Sequence, residues 1–200
     1  MTTLDLKAAF FHVINDHRWL AASGCAWNLV GPNAANGTRS EADQLLPNII
    51  VMILDSLLLH GRSLIDFYTK GEARPTDIVL CDFGVSIDQG LCERLANYKK
   101  PIELHLLHLT DWRDLEYRNL NATGGSVNKL RPDWNEEAAR IVEAILETLK
   151  CVSEQMSTWQ QPFRDLYNAS TARYRDKVSV WPVTLCEKSD VDKYLTSLGL

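Results

Sequence analysis

The amino-acid sequence predicts an all-α protein, a helical bundle of about five to six helices with an irregular C-terminal segment. Apolar residues recur at spacings of three and four along several segments, which is the period of an amphipathic helix. Loop-forming Asn, Gly and Pro residues separate these segments. Only residues 77–80 and 178–183 resemble strands; the first has no obvious partner strand, and the second contains Pro182, which indicates an edge strand or no strand.

Length and composition are those of one globular domain. The chain has 200 residues, of which 46% are hydrophobic and 24% are charged. This is enough to bury a core and lies far from the disordered regime. The formal net charge of −5 argues against broad binding to nucleic acid, which needs a clustered positive surface. We predict a single domain over residues 1–200, with a less regular extension over 159–200.

The sequence carries no pattern typical of membrane insertion or export. The longest apolar stretch, residues 49–59, is interrupted by Asp55, whereas a membrane-spanning helix needs about 20 apolar residues. The N-terminal residues include Asp5 and Lys7 and do not resemble a signal peptide. The five cysteines are widely spaced and form no C-x-x-C pair, which indicates reduced thiols. We therefore expect a cytoplasmic protein without a membrane partner.

Four helices are predicted in the first part of the chain. The first covers residues 4–22, and a loop follows at 31–38. The second covers residues 45–68, because aliphatic residues recur along it and Lys70-Gly71 provides a stop. An ordered loop over 71–87 leads to a third helix over 87–97. Pro101 then opens, or lightly kinks, a fourth helix that reaches about residue 118.

The second part of the chain is predicted to be helical but less regular. A loop covers residues 121–132. Asp133 and Glu136 have the spacing of a capping box and start a fifth helix that ends near residue 156. Beyond it, the pattern predicts a helix over 162–174 and a short final helix over 189–198.

The first candidate functional residues lie on the second helix. Arg62 and Asp66 are one turn apart on one face and can form an ion pair. His60 lies on a different side, together with Leu57 and Leu64, so we expect it to have apolar surroundings. One interpretation is a core histidine with one hydrogen-bond partner beside a structural ion pair. The other is a polar cleft to which a second helix adds further donors.

The second group of candidates lies on the fourth predicted helix. His105 and His108 are three residues apart and could share one ligand, and imidazole is a common metal ligand. No third ligand follows at a characteristic distance, so we predict no metal site and no cofactor. One of the two histidines is expected to face the core. Arg113 follows on the same helix.

Several motifs occur in a characteristic order over residues 45–155. They are His60-x-Arg62-x-Leu64-x-Asp66-Phe67, Asp77-Ile78 with Asp82-Phe83, His108-Leu109-Thr110 with Arg113, and Trp134 at the start of the next helix. Together they resemble a group of uncharacterised bacterial helical proteins, and their layout is similar to HEPN-type helical bundles.

The resemblance implies a ribonuclease site. HEPN ribonucleases use an Arg followed by four to six residues and a His, and two protomers form a composite site. In this chain Lys100 and His105 have that spacing, with Lys in place of Arg, and Lys cannot grip a phosphate in the bidentate manner of Arg. The resemblance also implies a homodimer and, through a local cleft, an RNA or nucleotide partner.

Two functional hypotheses follow from these residues. The first is a non-catalytic interaction or sensing protein. The second is a HEPN-type RNA-cleaving or nucleotide-binding protein with a composite Arg/His cleft. Pairing of the candidate side chains with each other would favour the first hypothesis, and convergence on a solvent-reachable cleft would favour the second. The candidates are His60, Arg62, Asp66, His105, His108 and Arg113.

Overall fold

The computed structural model of the chain describes residues 3–30, 45–71, 77–107 and 134–200. These ranges contain six α-helices and two short 3-10 turns, at Leu80–Phe83 and Val183–Leu185, and they contain no strand. The predicted all-α fold class is therefore confirmed. The helices are α1 (Thr3–Val30), α2 (Leu45–Thr69), α3 (Gln89–Leu107), α4 (Trp134–Ser153), α5 (Gln160–Tyr174) and α6 (Lys188–Ser197).

The central element of the bundle is the antiparallel pair formed by α1 and α2. Asp16 contacts His60, and Ser23 contacts Ser56, so residue numbers rise along α1 as they fall along α2. Helix α3 packs against α2 and α4, whereas α1 also contacts α4, α5 and α6. A single cluster of buried apolar side chains runs through all six helices, because each helix contributes an apolar stripe to it.

A group of aromatic rings joins the loop after α2 to the core. Phe10 of α1 lies 5.2 Å from the ring centroids of both Trp159 and Phe163. Phe83 reaches the same group from the first 3-10 turn, with its centroid 4.8 Å from that of Trp159 in an edge-to-face arrangement. The turn is closed by Asp82, whose carboxylate accepts a hydrogen bond from the N–H of Val79. The buried ring of Phe83 therefore anchors the predicted loop over residues 71–87 to the core.

Two predicted helix boundaries are wrong. Helix α1 does not end at residue 22 but continues to Val30. The extension packs into the bundle: Trp27 is buried, and Gly24 lies against α4 and α5. The third and fourth predicted helices are one helix in the described residues, with Pro101 inside it. Leu95 and Ile102, seven residues apart on one face, are both fully buried, and this packing holds the helix together across the proline.

The other predicted elements of the second half agree with the structure within a few residues. Helix α4 is described from Trp134 onward, and the predicted capping residue Asp133 lies outside the described residues; α5 and α6 lie where the pattern predicts them. Between these last two helices the backbone is irregular, and residues 178–182 form neither a helix nor a strand. The predicted loops at 31–38 and 121–132, and residues 108–118 of the fourth predicted helix, lie outside the described residues.

We predict that Gly24→Ala destabilises the bundle. A Cβ atom at this position would lie 3.0 Å from both the Tyr174 ring and a methyl group of Val142. Overpacking costs about 1–3 kcal/mol, which exceeds the gain of about 1 kcal/mol in helix propensity. Urea denaturation should therefore show a net loss of about 1 kcal/mol. Gly71→Ala is the matched control, because no atom lies within 4 Å of its Cβ position; equal effects in the two variants would contradict the prediction.

Candidate functional site

Helix α2 lies between α1 and α3, and its ionisable side chains form pairs on both sides. Towards α3 the pairs form a ladder, which we call the α2–α3 ladder, with rungs about one to two turns apart. Each rung is a pair of one side chain from α2 and one side chain from α3. The rungs are Asp66–Lys99 at 2.6 Å, Arg62–Glu103 at 3.1 Å and Asp55–His105 at 3.3 Å.

The predicted ion pair between Arg62 and Asp66 does not form, because α3 offers each of them a closer partner. Arg62 donates through Nε and Nη2 to the same carboxylate oxygen of Glu103, at 3.2 and 3.1 Å. Asp66 pairs with Lys99 at 2.6 Å and with Lys70 at 3.5 Å. Burial acts to raise the pKa of Asp66, but the neighbouring Lys99, Lys70 and Arg62 charges outweigh it and hold the pKa below its usual value.

His60 faces α1 rather than α3. Its Nδ1 lies 2.7 Å from a carboxylate oxygen of Asp16, and its ring stacks on Trp19 with an angle of 13° between the planes. The single hydrogen-bond partner expected of His60 is therefore present, but His60 is not a core residue, because 21% of its side chain is exposed. The expectation of apolar surroundings is wrong in part, because a carboxylate and a half-exposed indole lie where aliphatic side chains were expected.

Of the candidates near the end of α3, the structure describes only His105. Its Nε2 lies 3.3 Å from Asp55, and its ring meets the edge of Trp134 with centroids 5.1 Å apart. His108 and Arg113 lie outside the described residues. The expected proximity of Arg113 to Arg62 therefore stays a prediction. The structure thus does not bring the four described candidates together. His60 faces α1 from α2, whereas Arg62 and Asp66 of α2 and His105 of α3 belong to the α2–α3 ladder.

A polar cleft opens between α1, α2 and the loop that follows α2. Its volume is about 220 Å³. Lys70 bridges two of its carboxylates, those of Asp66 and Asp77, and Arg62 is held by Glu103. The cleft carries more carboxylates than cations, so its field does not favour a phosphate. The ionisable and hydroxyl side chains that line it are His12, Asp16, Arg62, Ser63, Asp66, Lys70 and Asp77.

The sequence prediction missed a buried histidine on α1. His17 is fully buried, and its Nε2 shares a 2.8 Å hydrogen bond with the hydroxyl of Tyr68 on α2. Burial lowers the pKa of His17 to about 3, although the charge of Asp16 acts in the opposite direction. The helical spacing of His17 from Phe10 and Leu20 could have revealed its inward position.

A second missed feature is an exposed apolar surface. We call it the α1–α2 outer face and define it by Trp19, Ala22, Ala26 and Leu29 of α1 and by Ile49, Met52 and Leu59 of α2. None of these residues is charged. The five large side chains of this face have exposed fractions of 53% for Trp19 and Leu29, 50% for Ile49, 69% for Met52 and 55% for Leu59.

Neither a metal site nor a membrane-spanning helix is found in the described ranges. There, no three His, Cys, Asp or Glu side chains lie close enough together to hold a metal ion. No helix in those ranges has the length and apolar character needed to cross a bilayer. Comparison of the chain with protein families, curated proteins and solved structures finds no significant match.

We predict that the Asp66–Lys99 pair contributes more to stability than an exposed ion pair does. The Asp66 side chain is only 17% exposed, so its attraction to Lys99 is less screened by water. A double-mutant cycle with Asp66→Asn and Lys99→Met should give a coupling energy of about 1 kcal/mol or more. The exposed pair Glu136–Arg140 is the control and should give less than about 0.5 kcal/mol. Equal coupling energies would disprove the distinction.

We predict that His17 makes the bundle less stable at acid pH. Its folded-state pKa of about 3 lies below the ordinary value of 6.5, so between these values the unfolded chain binds a proton that the folded chain does not. The free energy of unfolding should therefore fall as the pH is lowered through this window, by about 1 kcal/mol per pH unit.

Urea denaturation between pH 6 and pH 4.5 measures this effect. The variant His17→Gln has no titratable group at this position, so it should lose less stability over the same window than the wild type. Parallel pH profiles for the two proteins would show that His17 is not responsible.

Proposed function

We propose that this chain is a non-catalytic interaction protein of the cytoplasm, whose helical bundle presents a surface to a protein partner. The main support is the pairing of the candidate side chains. Each of the four described candidates contacts an oppositely charged or hydrogen-bonding group on a neighbouring helix. Groups held in this way tie helices together, because removing either partner would leave the other unpaired.

The contacts of Arg62 also argue against a catalytic role. Those of His60 do not, because a carboxylate against Nδ1 leaves Nε2 as the ring nitrogen that could exchange a proton. Two of the guanidinium nitrogens of Arg62 donate to Glu103, so a phosphate would have to compete with a carboxylate already in place.

The exposed apolar residues support the positive part of the proposal. Apolar side chains scattered singly over a surface need no explanation, but a contiguous patch of several hundred Å² marks an interaction site. The α1–α2 outer face brings five large apolar side chains together on two adjacent helices. Its partner is proposed to be a protein, and the resemblance noted in the sequence implies a homodimer.

A second candidate function is HEPN-type RNA cleavage or nucleotide binding. One observation favours it: exposed His12 and partly exposed Arg62 line the same cleft. In that function His12 would act as a general base and Arg62 would stabilise charge on a phosphate. The surplus of carboxylates in the cleft weakens this candidate.

We predict that the purified protein does not cleave RNA. Incubation with labelled single-stranded and hairpin RNA should give no product above background for the wild type. The variants His12→Gln and Arg62→Lys should behave in the same way, because neither residue has a catalytic role under this proposal. Arg140→Lys, which alters an exposed arginine outside the cleft, is the matched control.

A positive cleavage assay would overturn the proposal if the cleft variants abolish the activity. The decisive result is RNA cleavage by the wild type and Arg140→Lys that falls at least tenfold in Arg62→Lys. Circular dichroism must show unchanged helicity in that variant, so that the loss reports chemistry rather than unfolding. This result would establish the second candidate function.

A further inference from the structure

The imidazole of His60 is held in place through one nitrogen and leaves the other nitrogen available. Its Nδ1 lies 2.7 Å from a carboxylate oxygen of Asp16. An ionised carboxylate only accepts hydrogen bonds, so Nδ1 carries the proton of the neutral ring and Nε2 carries the lone pair. Among the described residues Nε2 has no hydrogen-bond partner, and, unlike Nδ1 of the buried His17, it is open to solvent. The ring of His60 therefore presents an oriented nucleophile at the surface.

The stack on Trp19 does not block this nitrogen. The planes of the two rings are 13° apart, so the indole covers one face of the imidazole. The lone pair of Nε2 lies in the plane of the imidazole and points outward from its edge. The stack therefore restrains rotation of the ring while leaving Nε2 able to attack an electrophile.

The other described histidines lack this combination of features. His17 is fully buried, and its Nε2 is engaged by a hydroxyl in the core. Nε2 of His105 lies 3.3 Å from a carboxylate. His12 is exposed, but its ring makes no hydrogen bond with a described residue, so no carboxylate fixes its tautomer. We therefore expect His60 to be the most reactive of these four histidines.

The surroundings of His60 favour an electrophile that is neutral and apolar. Trp19, which stacks on the ring, is 53% exposed, and Leu59, the preceding residue, is 55% exposed. An apolar chain that covers such surface contributes about 25 cal/mol for each Å² removed from water. The carboxylate of Asp16 repels an anionic reagent. These neighbours therefore select an apolar acyl chain over a small or negatively charged one.

We propose that Nε2 of His60 is an acylation site, which accepts the acyl group of a neutral activated ester with an apolar chain. Nε2 attacks the carbonyl carbon, so a C–N bond forms, and the C–O bond breaks as the oxygen of the leaving group takes the electron pair. The acylated ring is now cationic, and it loses its Nδ1 proton through Asp16 to solvent. Water later cleaves the C–N bond, which releases the carboxylic acid and restores the imidazole.

This inference goes beyond the proposed interaction function and does not depend on it. Acylation modifies one side chain on the flank of α2 that faces α1, and it uses neither the α2–α3 ladder nor a phosphate group. The two proposals can therefore fail separately.

Release of p-nitrophenolate from p-nitrophenyl hexanoate measures the acylation rate. His60→Gln should lower the protein-dependent rate at least about tenfold, because it removes the nucleophile. Asp16→Asn should lower it roughly tenfold, because a carboxylate that holds Nδ1 raises the basicity of the ring. Asp176→Asn is the control substitution, since Asp176 is exposed just after α5, and it should react like the wild type.

Mass spectrometry of the wild type locates the acylated residue without any substitution. Brief treatment with diethyl pyrocarbonate transfers an ethoxyformyl group, which is stable enough on imidazole to survive digestion. The peptide that contains His60 should be labelled faster than the peptide that contains His12. This comparison within one molecule stays valid even if a variant fails to fold, and circular dichroism of all variants reports such a failure.

A second ester tests the role of the apolar surroundings. Trp19→Ala should slow the reaction of p-nitrophenyl hexanoate more than that of p-nitrophenyl acetate, because only the longer chain can cover the indole. An equal effect on the two esters would show that Trp19 does not select the acyl chain.

Two results would overturn the acylation site itself. One is labelling of His12 that is as fast as labelling of His60. The other is a rate of p-nitrophenolate release that is the same in the wild type and in folded His60→Gln. Neither result decides the proposed interaction function, because the RNA-cleavage assay tests it separately.

Discussion

The close antiparallel packing of α1 against α2 is the constraint on which the rest of the structure depends. Gly24 allows α4 and α5 to approach α1, while the hydrogen bond between His17 and Tyr68 is formed entirely within the core. Because α2 is held against α1 on one side, its opposite flank is left for α3. The positions of all the ionisable groups on α2 follow from this arrangement.

The charged groups on the two flanks of α2 mainly fix how the neighbouring helices align with it. Partly exposed ion pairs contribute little free energy one by one. A rung such as Arg62–Glu103 nevertheless disfavours a sliding of α3 along α2, because a shift by one turn would place like charges opposite each other. This role in fixing the alignment of helices accounts for a cluster that resembles a catalytic site in the sequence. It also accounts for the absence of a free cation among the described residues that line the polar cleft.

The proposed interaction function depends on the part of the central helix pair that the bundle leaves uncovered. Helices α4 and α5 cover the inner side of α1 and α2, and α3 covers one flank. Nothing among the described residues covers the side that carries Trp19 and Met52. Exposed apolar surface is unfavourable in water, so a partner that covers this side would release free energy.

The sequence by itself determined the fold class and the positions of most helices, because helical periodicity is a local property that each segment carries alone. Tertiary structure decided the continuation of α1 beyond residue 22 and the continuity of α3 through Pro101, since packing against other helices holds both segments helical. It also decided that Arg62 pairs with Glu103 rather than Asp66. The partner of a side chain depends on which helix lies beside it, and local periodicity contains no information about that neighbour.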